Sequence, residues 1–409
     1  MSRFDTYFLM TAGDIAEYVA EKIAFFPEHA QLKCEEIGDG NLNYVFRLTD
    51  TGSGKTVIVK QAGEALRISD QIHLSTDRGR IEAEILKIQG KYSPGLVPEV
   101  YLYDGVMCTI IMEDMIGHNM MRTGLVRDHE IYPYFADHIS TFLVNSLLLT
   151  TDIVMNHKEK KEWVKMFINP DLCDLTEDLV FSEPYIDYNQ RNNVFPPNAE
   201  FVNKELYSDM ALRLEAAKLK FEFMNNAQAL VHGDLHTGSI FINKEHTYIF
   251  DPEFAFYGPI GFDVGNIIAN MFFAWCNGDA MIEDETYRAE FCGWCLDTVE
   301  QIADLFISKF KTAFEQNVND TMAKTPGFME YYLGNILADT AGCAGLESIR
   351  RIVGMANNKD ITSIPDADKR ARAEKIIVTL GKNYIMNRRS FLCGADYRRA
   401  ISDAIARFS

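Results

Sequence analysis

The sequence predicts an α+β protein in which a small β-rich lobe is followed by a large helical lobe. Short runs of branched apolar residues, typical of strands, are concentrated between residues 31 and 114. From residue 128 onward, apolar residues recur at helical spacing over long segments. The chain has 409 residues, 47% of them hydrophobic and 24% charged, which is a globular composition. We therefore expect an N-terminal lobe over residues 1–114 and a C-terminal lobe over residues 115–409.

In the first lobe, two apolar runs predict strands and one periodic segment predicts a helix. Residues 57–60 (VIVK) and 106–112 (VMCTIIM) are short, branched and apolar. Between them Ile81, Ile85 and Ile88 recur at spacings of four and three on a polar background, which is the pattern of an amphipathic helix.

In the second lobe the predicted helices are separated by proline-bearing loops. The helical segments are 131–150, 207–227, 260–275, 287–312 and 331–356. The loops contain Pro170, Pro184, Pro196, Pro197 and Pro326. One short β insert interrupts the helices, at residues 230–231, 240–242 and 248–250.

The charge balance restricts the partners of this chain. It has 40 basic and 59 acidic residues, a formal net charge of −19, so nucleic acid and anionic membrane surfaces should repel it. No apolar run reaches the roughly 18 residues of a membrane span, and the first ten residues lack a signal-peptide pattern. Eight cysteines are too few for a disulfide scaffold. We expect a cytoplasmic enzyme that holds any anionic ligand with a few local cations.

Two motifs resemble known sites but are better explained otherwise. GSGKT at residues 52–56 lacks the earlier glycine of a nucleotide P-loop, because that position is Thr49, and its neighbours have turn chemistry. Cys292 and Cys295 have the spacing of a redox dithiol but lie in a helical segment, where two small apolar side chains on one face are the simpler interpretation.

Two acidic motifs carry the predicted chemistry. Asp234 lies in LVHGDLHTGS at residues 230–239, and Asp251 and Glu253 flank Pro252 about 17 residues later, after two apolar strand-like runs. A hairpin of those strands would bring the motifs together. Phosphoryl transfer needs one carboxylate to accept or orient the hydroxyl proton and others to hold Mg²⁺ on nucleotide phosphates. In the alternative, the loop residues only cap local structure. We expect an extended backbone at Asp251, because residues two apart share a side only in extended chain and Pro252 disfavours helix there.

These motifs resemble a known group of enzymes. HGDLHTGSIFIN, followed by IFDPEFAFYGPIGFD, is similar to the small-molecule phosphotransferases that include aminoglycoside phosphotransferases and choline kinases. The resemblance implies a bilobal protein-kinase-like fold. It also implies a nucleotide-binding glycine-rich loop with Gly38, Gly40 and Asn43, and a phosphate-binding lysine at Lys60.

Further positions follow from the same resemblance. Glu82 in RIEAEIL corresponds to the helix glutamate that meets the lysine, although Glu84 remains an alternative. The hinge that reads the adenine edge corresponds to Glu113, Asp114 and Met115.

Within that group the chain most closely resembles the family of 5-methylthioribose kinases. Four features support this: the loop GDGNLNYVF with Asn43 in place of a third glycine, the loop HGDLHTGS, the motif Asp-Pro-Glu, and the pair Arg350 and Arg351. The resemblance implies transfer of the ATP γ-phosphate to the 1-hydroxyl of methylthioribose in methionine salvage. It further implies a homodimer.

The residues suggest individual roles. Asp234 should face the sugar hydroxyl, while Asp251 and Glu253 should hold Mg²⁺. Ser239 stands where the wider group usually has a metal-binding asparagine, which is why we expect Glu253 to take over that contact. The amide of Asn43 is expected to donate to a phosphate oxygen.

Arg350 and Arg351 are expected to act at the acceptor, unless they only compensate a helix dipole. Adjacent helical residues point about 100° apart, so one arginine should face the site while the other pairs with an acid, with Arg351 slightly preferred as the facing one.

Neighbouring residues receive supporting roles. Asp263 should bond backbone amides of the Asp234 loop. For His232 and His236 a hydrogen-bonding or packing role is favoured over that of general base. Trp275 is either a core residue or part of an apolar pocket for the methylthio group.

Two other functions remain as alternatives. A kinase of the same fold could act on a cationic acceptor such as choline or an aminoglycoside, which the acidic composition allows but the arginine pair disfavours. The chain could also be a catalytically silent nucleotide-binding module, although every expected catalytic side chain is present.

Overall fold

The computed structural model describes residues 2–37, 43–63, 65–66, 69–73 and 75–408. They form two compact units. The smaller unit comprises Met1–His118 and Tyr248–Ala255, and the larger comprises Asn119–Thr247 and Phe256–Ser409. Across the described ranges, no helix is both long and apolar enough to cross a membrane.

The smaller unit is built on an antiparallel sheet in the order β1-β2-β3-β7-β6, with a separate hairpin of β4 and β5. Its strands are β1 (Leu32–Glu36), β2 (Asn43–Asp50), β3 (Thr56–Ala62), β4 (Ala65–Leu66), β5 (Ser69–His73), β6 (Val100–Asp104) and β7 (Thr109–Glu113). Its helices are α1 (Ala12–Lys22) and α2 (Arg78–Tyr92), which confirms the helix predicted from the isoleucine spacing.

Alternation along β3 determines where Lys60 points. Val57 and Val59 belong to a core that also contains Ile15 and Val19 of α1. Successive strand side chains point to opposite faces, so Lys60 lies on the face opposite Val57 and Val59. Its strand neighbours are Val45 on β2 and Ile110 on β7, which places it in the middle of the sheet.

The strand predicted over residues 106–112 begins later than expected, at Thr109. The carboxylate of Asp104 accepts hydrogen bonds from the backbone amides of Val106 (2.9 Å) and Met107 (3.1 Å). Cys108 follows with a positive φ of 48°. These contacts make a turn, since an Asp side chain that bonds the amides following it competes with strand pairing.

The larger unit is mainly helical. Its first half contains β8 (Asn119–Met120), α3 (Met121–Val126), α4 (Phe135–Leu148), α5 (His157–Met166), α6 (Pro170–Leu179), α7 (Glu183–Ile186), α8 (Ala199–Val202) and α9 (Met210–Asn225). Pro170 and Pro184 lie in the first turns of α6 and α7 rather than in loops, because proline lacks only an N–H that is unpaired there anyway.

The second half contains the predicted β insert and the longest helices. Its elements are β9 (Ala229–Val231), β10 (Ile240–Ile242), β12 (Phe256–Gly258), α10 (Ile260–Met281), α11 (Glu285–Asn317), α12 (Phe328–Val353), α13 (Lys359–Thr362), α14 (Ala367–Met386) and α15 (Gly394–Ala406). β11 (Thr247–Ile249) begins at the last residue of the Asn119–Thr247 stretch, and its other two residues belong to the smaller unit. Between β10 and β11, Asn243 closes a turn with His246 (N to O, 3.0 Å). The five long helical segments predicted from the sequence are therefore present as α4, α9, α10, α11 and α12.

Close packing of α10 against α12 organises the larger unit. A Cβ atom on Gly265 would lie only 2.6 Å from the backbone oxygen of Thr340 and the backbone nitrogen of Ala344, so only glycine allows this approach. Across this contact, Asn270 Nδ2 on α10 donates to the buried Glu347 Oε1 on α12 at 3.2 Å, and Asp263 on α10 is buried as well.

The structure explains both the GSGKT segment and the Cys292–Cys295 pair without a nucleotide or redox role. The GSGKT segment follows the end of β2, where the Asp50 carboxylate accepts from the backbone amides of Gly52 (3.1 Å) and Ser53 (3.3 Å). Cys292 and Cys295 are buried within α11, and burial raises the pKa of both thiols, which makes them poor thiolates.

Candidate active site

In the smaller unit, Lys60 is held between carboxylates. Its Nζ donates to Glu82 Oε1 at 2.8 Å and also to Asp251 Oδ1. Glu84 pairs instead with Lys87 at 2.9 Å on the outer side of α2. The partner of Lys60 on this helix is therefore Glu82.

The charge states in this group follow from burial and pairing. Burial would lower the pKa of Lys60, but the charges of Asp251, Glu82 and Glu253 outweigh it and raise that pKa. Burial also raises the pKa of Glu82 and of Glu253, with Lys60 opposing both shifts. We call Lys60, Glu82, Asp251 and Glu253 the lysine–carboxylate cluster.

The backbone of Asp251 differs from the sequence expectation. Its φ is +65°, in the left-handed region, so it is not extended. Asp tolerates this conformation better than most residues, although it costs a side chain with a Cβ roughly 1 kcal/mol. The extended prediction was wrong because it treated residues 251–253 as a regular strand, whereas Pro252 excludes only the right-handed helical region at Asp251.

Glu253 is buried and held by two residues that precede it by far in the sequence. Its Oε2 accepts from Asn43 Nδ2 at 3.1 Å and lies 3.4 Å from Arg78 Nε. The oxygen of the Asn43 amide accepts from Arg78 Nη2 at 3.3 Å. Asn43 thus links Glu253 to Arg78, which gives its amide a partner other than phosphate. Its phosphate contact stays a prediction.

Sequence reasoning did not find Arg78. Arg78 is the first residue of α2, where the helix dipole disfavours a positive charge. An arginine at this unfavourable position was the signal in the sequence that it has a specific partner.

The carboxylates of the cluster form a group suited to a metal ion. Ligand oxygens of Glu82, Asp251 and Glu253 lie within 4.8 Å of one another, and no other such group occurs in the described part of the chain. Mg²⁺ prefers carboxylate oxygens and usually takes only one or two from the protein. Asp251 and Glu253 were predicted as ligands, and Glu82 is a third candidate.

The predicted hinge residues have protein partners for their side chains. Asp114 accepts from Arg47 Nε (2.6 Å) and Nη2 (3.0 Å), and Glu113 Oε2 accepts from the amide of Glu99 at 3.1 Å. Met115 is buried. Because these side chains are engaged within the protein, backbone groups of this segment are the ones that would hydrogen-bond the adenine of a nucleotide. Gly38 and Gly40, the predicted glycines of the phosphate loop, lie outside the described residues.

In the larger unit, a loop between β9 and β10 carries Asp234. Asp263, at the start of α10, accepts from the amides of His232 (2.7 Å) and Gly233 (3.1 Å), as predicted. Gly233 has a positive φ of 84°, which glycine adopts without strain. This anchoring sets the direction in which Asp234 leaves the loop.

His236 supports Asp234 as a neutral donor. Its Nδ1 accepts from the amide of Gly238 at 3.0 Å, so the proton of the neutral ring belongs on Nε2, which lies 3.4 Å from Asp234 Oδ2. Burial lowers the pKa of His236, which favours this neutral form. Ser239 donates to the backbone oxygen of Asp234 at 3.1 Å, so its hydroxyl also stabilises the loop.

Arg350 and Arg351 both approach Asp234. Arg350 Nη2 lies 3.3 Å and Arg351 Nη2 3.6 Å from Asp234 Oδ1. Arg350 Nε donates to Glu347 Oε2, and Arg351 Nε donates to Glu347 Oε1 at 2.9 Å. The expectation that only one arginine faces the site was therefore wrong. Long side chains on neighbouring positions converge because one buried glutamate binds both.

The electrostatics keep Asp234 ionised. Burial would raise its pKa, but His236, Arg351 and Arg350 hold the pKa of Asp234 well below its usual range. Burial likewise opposes ionisation of Glu347, yet the two arginines lower its pKa to about 2. We call Asp234, Glu347, Arg350 and Arg351 the arginine–carboxylate cluster. Glu347 was missed in the sequence, although it precedes the arginine pair by the three and four residues that place helical side chains together.

Trp275 lies in the core of the larger unit. It is almost fully buried and stacks on Phe272, with ring centroids 5.5 Å apart and planes inclined by 12°. This favours the packing interpretation.

Comparison with known proteins identifies the family. The model of the phosphotransferase enzyme family matches residues 171–302. The chain is 39% identical to a methylthioribose kinase of Bacillus pumilus (strain SAFR-032) over 368 residues, 90% of each chain. The chain belongs to the methylthioribose kinase family. It is also 38% identical to the methylthioribose kinase of Geobacillus kaustophilus (strain HTA426), over 94% of each chain.

Membership of the methylthioribose kinase family confirms the α+β, protein-kinase-like fold class and makes the chain an ATP-dependent phosphotransferase. Kinases use Mg²⁺ with ATP, and the three clustered carboxylates fit that ion. Among solved structures, choline kinase from Cryptosporidium parvum Iowa II aligns with a TM-score of 0.49 at 13% identity, covering 92% of this chain and 99% of that one.

Proposed function

We propose that the chain transfers the γ-phosphoryl group of ATP to the 1-hydroxyl of 5-methylthioribose. The products are 5-methylthioribose 1-phosphate and ADP, in methionine salvage. The observation that carries the proposal is the 39% identity to a methylthioribose kinase over 90% of both chains. The ionised Asp234 beside two arginines supports it independently.

Asp234 is proposed as the catalytic residue. The acceptor hydroxyl donates to its carboxylate, and the proton passes to Asp234 as the oxygen–phosphorus bond forms and the bond to the β–γ bridging oxygen breaks. A carboxylate with so low a pKa is a weak base, so its main contribution is orientation of the hydroxyl. That suits phosphoryl transfer, in which the transition state is loose and little proton transfer is needed early.

The smaller unit is proposed to bind the triphosphate. Lys60 is positively charged and can pair with phosphate oxygens, while Glu82 fixes its position. Asp251 and Glu253, with Glu82 nearby, would hold Mg²⁺, which neutralises phosphate charge when bound.

The arginine pair favours a sugar over a cationic acceptor. Arg350 and Arg351 neutralise Asp234 and Glu347, so the cluster has no excess negative charge to attract choline or an aminoglycoside. A neutral sugar needs no such attraction.

Acceptor screening with Mg·ATP tests the proposal. Methylthioribose, choline and an aminoglycoside are offered separately and in competition, with ADP release as the measurement. We expect turnover with methylthioribose, and ³¹P NMR should place the phosphate on C1. Turnover with choline or the aminoglycoside alone would contradict the assignment.

We also propose that the chain forms a homodimer in the cytoplasm. On α9, Met210, Leu214, Ala217, Phe221 and Met224 recur at alternating spacings of four and three, and all but Ala217 are exposed. Such a seam suits packing against a second copy. Leu214→Glu should convert a dimer to a monomer in sedimentation experiments, and a monomeric wild type would refute the proposal.

The eight free cysteines are consistent with a reducing compartment.

The assignment of nucleotide binding to residues 1–114 and of the catalytic loop, metal motif and acceptor site to residues 115–409 stays a proposal. The compact units divide at His118, and Tyr248–Ala255, with Asp251 and Glu253, belongs to the smaller one.

A further inference from the structure

A second arginine-containing pair lies in the larger unit, outside the residues predicted from sequence. Arg122 on α3 has its Nε 3.3 Å from Asp360 Oδ1 at α13. Asp360 is fully buried, whereas the Arg122 side chain keeps 21% of its surface exposed. The acid thus forms the inner end of the pair, and Arg122 Nε and Nη2 are buried with it while the rest of the arginine side chain carries the exposed surface.

The polar atoms of this pair are incompletely bonded. Within the described ranges, Arg122 Nε and Nη2, both carboxylate oxygens of Asp360, and Asn358 Nδ2 have no hydrogen bond of normal geometry. Buried polar atoms are nearly always paired, because an unpaired one costs roughly 1–3 kcal/mol. These five atoms are enclosed, and Arg122 Nε lies 3.3 Å from Asp360 Oδ1, so the loose contacts among them hold the guanidinium in place. Nη1, which is not among them, is the nitrogen of Arg122 that can meet a ligand.

The pair borders the Asp234 loop. A Cβ on Gly238 would lie 2.9 Å from Arg122 Nη1 and 3.0 Å from His236 Nδ1, so Arg122 passes directly over this loop. His236 in turn contacts Asp234. Arg122 also experiences the charges of Asp360, Arg351 and Asp234. It therefore lies at the edge of the arginine–carboxylate cluster.

The charges indicate what this pair would recognise. Arg122 and Asp360 neutralise each other, so together they attract an anionic phosphoryl group less than a lone arginine would. Hydroxyl groups are neutral and supply both a donor and an acceptor. The guanidinium supplies only donors, and a hydroxyl oxygen can accept from its Nη1.

We propose that Arg122, anchored by Asp360, is a specificity-determining residue whose Nη1 donates a hydrogen bond to a ring hydroxyl of the sugar acceptor. The inference rests on the proposed function and extends it, because it names the part of the sugar that the larger unit recognises.

Analogue kinetics test this inference. Arg122→Met and Arg122→Lys are compared with wild type on methylthioribose and on its 2-deoxy and 3-deoxy analogues. Arg122→Met should lower kcat/KM for methylthioribose about 100-fold, mainly through KM, because hydroxyl-binding sites lose discrimination when a polar group is removed. The loss should shrink to less than threefold on the analogue that lacks the contacted hydroxyl. Arg122→Lys should have a kcat/KM for methylthioribose between those of wild type and Arg122→Met. The KM for ATP should not change in either variant.

Matched variants separate this role from a structural one. Arg127 lies at the C-terminal end of the same helix, its side chain is 70% exposed, and it pairs with Asp128. Arg127→Ala should therefore leave kcat/KM unchanged for all three acceptors. Asp360→Asn keeps the side-chain shape but frees Arg122, so it should reproduce the acceptor-dependent loss even if Arg122→Met does not fold.

Two failures are distinguishable. A wild type inactive on methylthioribose would overturn the proposed function and this inference with it. An active wild type with the same Arg122 penalty on all three acceptors, or with a penalty only in the KM for ATP, would overturn this inference alone.

Discussion

The two charged clusters of this molecule differ in their balance of acids and bases. The lysine–carboxylate cluster of the smaller unit has three acids, and its basic partners are Lys60 and Arg78. The arginine–carboxylate cluster of the larger unit, with Arg122 and Asp360 included, has three acids and three arginines.

The difference corresponds to the ligand proposed for each cluster. A group with more acids than bases is completed by a cation, which suits a magnesium ion on a nucleotide. A balanced group has no excess charge to offer, which suits a neutral sugar. Changing one charge should therefore affect metal dependence in the first cluster and acceptor kinetics in the second.

The largest effect is expected from the second cluster at Asp234. Asp234→Ala should reduce kcat by about 10²–10⁴-fold, because the hydroxyl loses the carboxylate that orients it. Nucleotide affinity, measured by calorimetry with ADP and Mg²⁺, should change little. Asp403→Ala on the exposed face of α15 is the control. Retained turnover in Asp234→Ala would exclude it as the catalytic residue.

In the first cluster, two glutamates on one helix give a matched comparison. Glu82→Gln should raise the Mg²⁺ concentration for half-maximal rate by about 10–100-fold, because it removes a candidate ligand and the partner of Lys60. Glu84→Gln, which affects only the pair with Lys87, should match wild type. Equal magnesium dependence in both variants would exclude Glu82 as a ligand and leave Asp251 and Glu253 as the candidates.

The arginine pair should show a smaller and shared effect. Arg350→Ala and Arg351→Ala should each lower kcat/KM for the sugar about tenfold, and within threefold of each other, because both contact Asp234 and Glu347. Arg399→Ala, an exposed change on α15, is the control. A loss confined to one arginine would restore the expectation that only one faces the acceptor.

The smallest effect concerns pH and stability. The pKa of Glu347 is about 2, below its usual 4.5, so its stabilisation is complete above pH 4.5 and is lost as pH falls toward 2. Glu347→Gln should therefore lower the free energy of unfolding by about 3 kcal/mol at pH 7, with the difference shrinking below pH 4.5. Urea unfolding at several pH values measures this, and a constant difference would contradict it.

Glu82 should behave in the opposite way. Burial raises its pKa, so its stabilising contribution is complete below its ordinary value and decreases as pH rises through the higher folded value. The cost of Glu82→Gln in the free energy of unfolding should therefore be larger at pH 4 than at pH 8. The same urea experiments decide whether rising pH changes the stabilising contributions of Glu347 and Glu82 in opposite directions.

Much of this organisation could be predicted from local sequence. Apolar periodicity revealed α2 and the long helices, because those patterns reflect the faces that each element buries. Asp234, Asp251 and Glu253 stood out because their spacing matched a chemical requirement. The turn before β7 and the left-handed backbone of Asp251 were missed, since each depends on a few local contacts that override an apolar or extended pattern.

Other features depended on which elements pack together. The sequence preferred Glu82 over Glu84 only through the family resemblance, and the docking of α2 against β3 selects Glu82. Asn43 and Arg78 reach Glu253 over more than 170 positions of sequence separation, which no local pattern encodes.

The sequence by itself determined the fold class, the family and the acids of the two motifs, because periodicity and motif spacing are local properties. The tertiary structure alone decided how the charges combine. Arg350 and Arg351 converge because one buried glutamate holds both, and Arg122 meets Asp360 from a distant helix. Long charged side chains take their direction from buried partners, and those partners are set by packing.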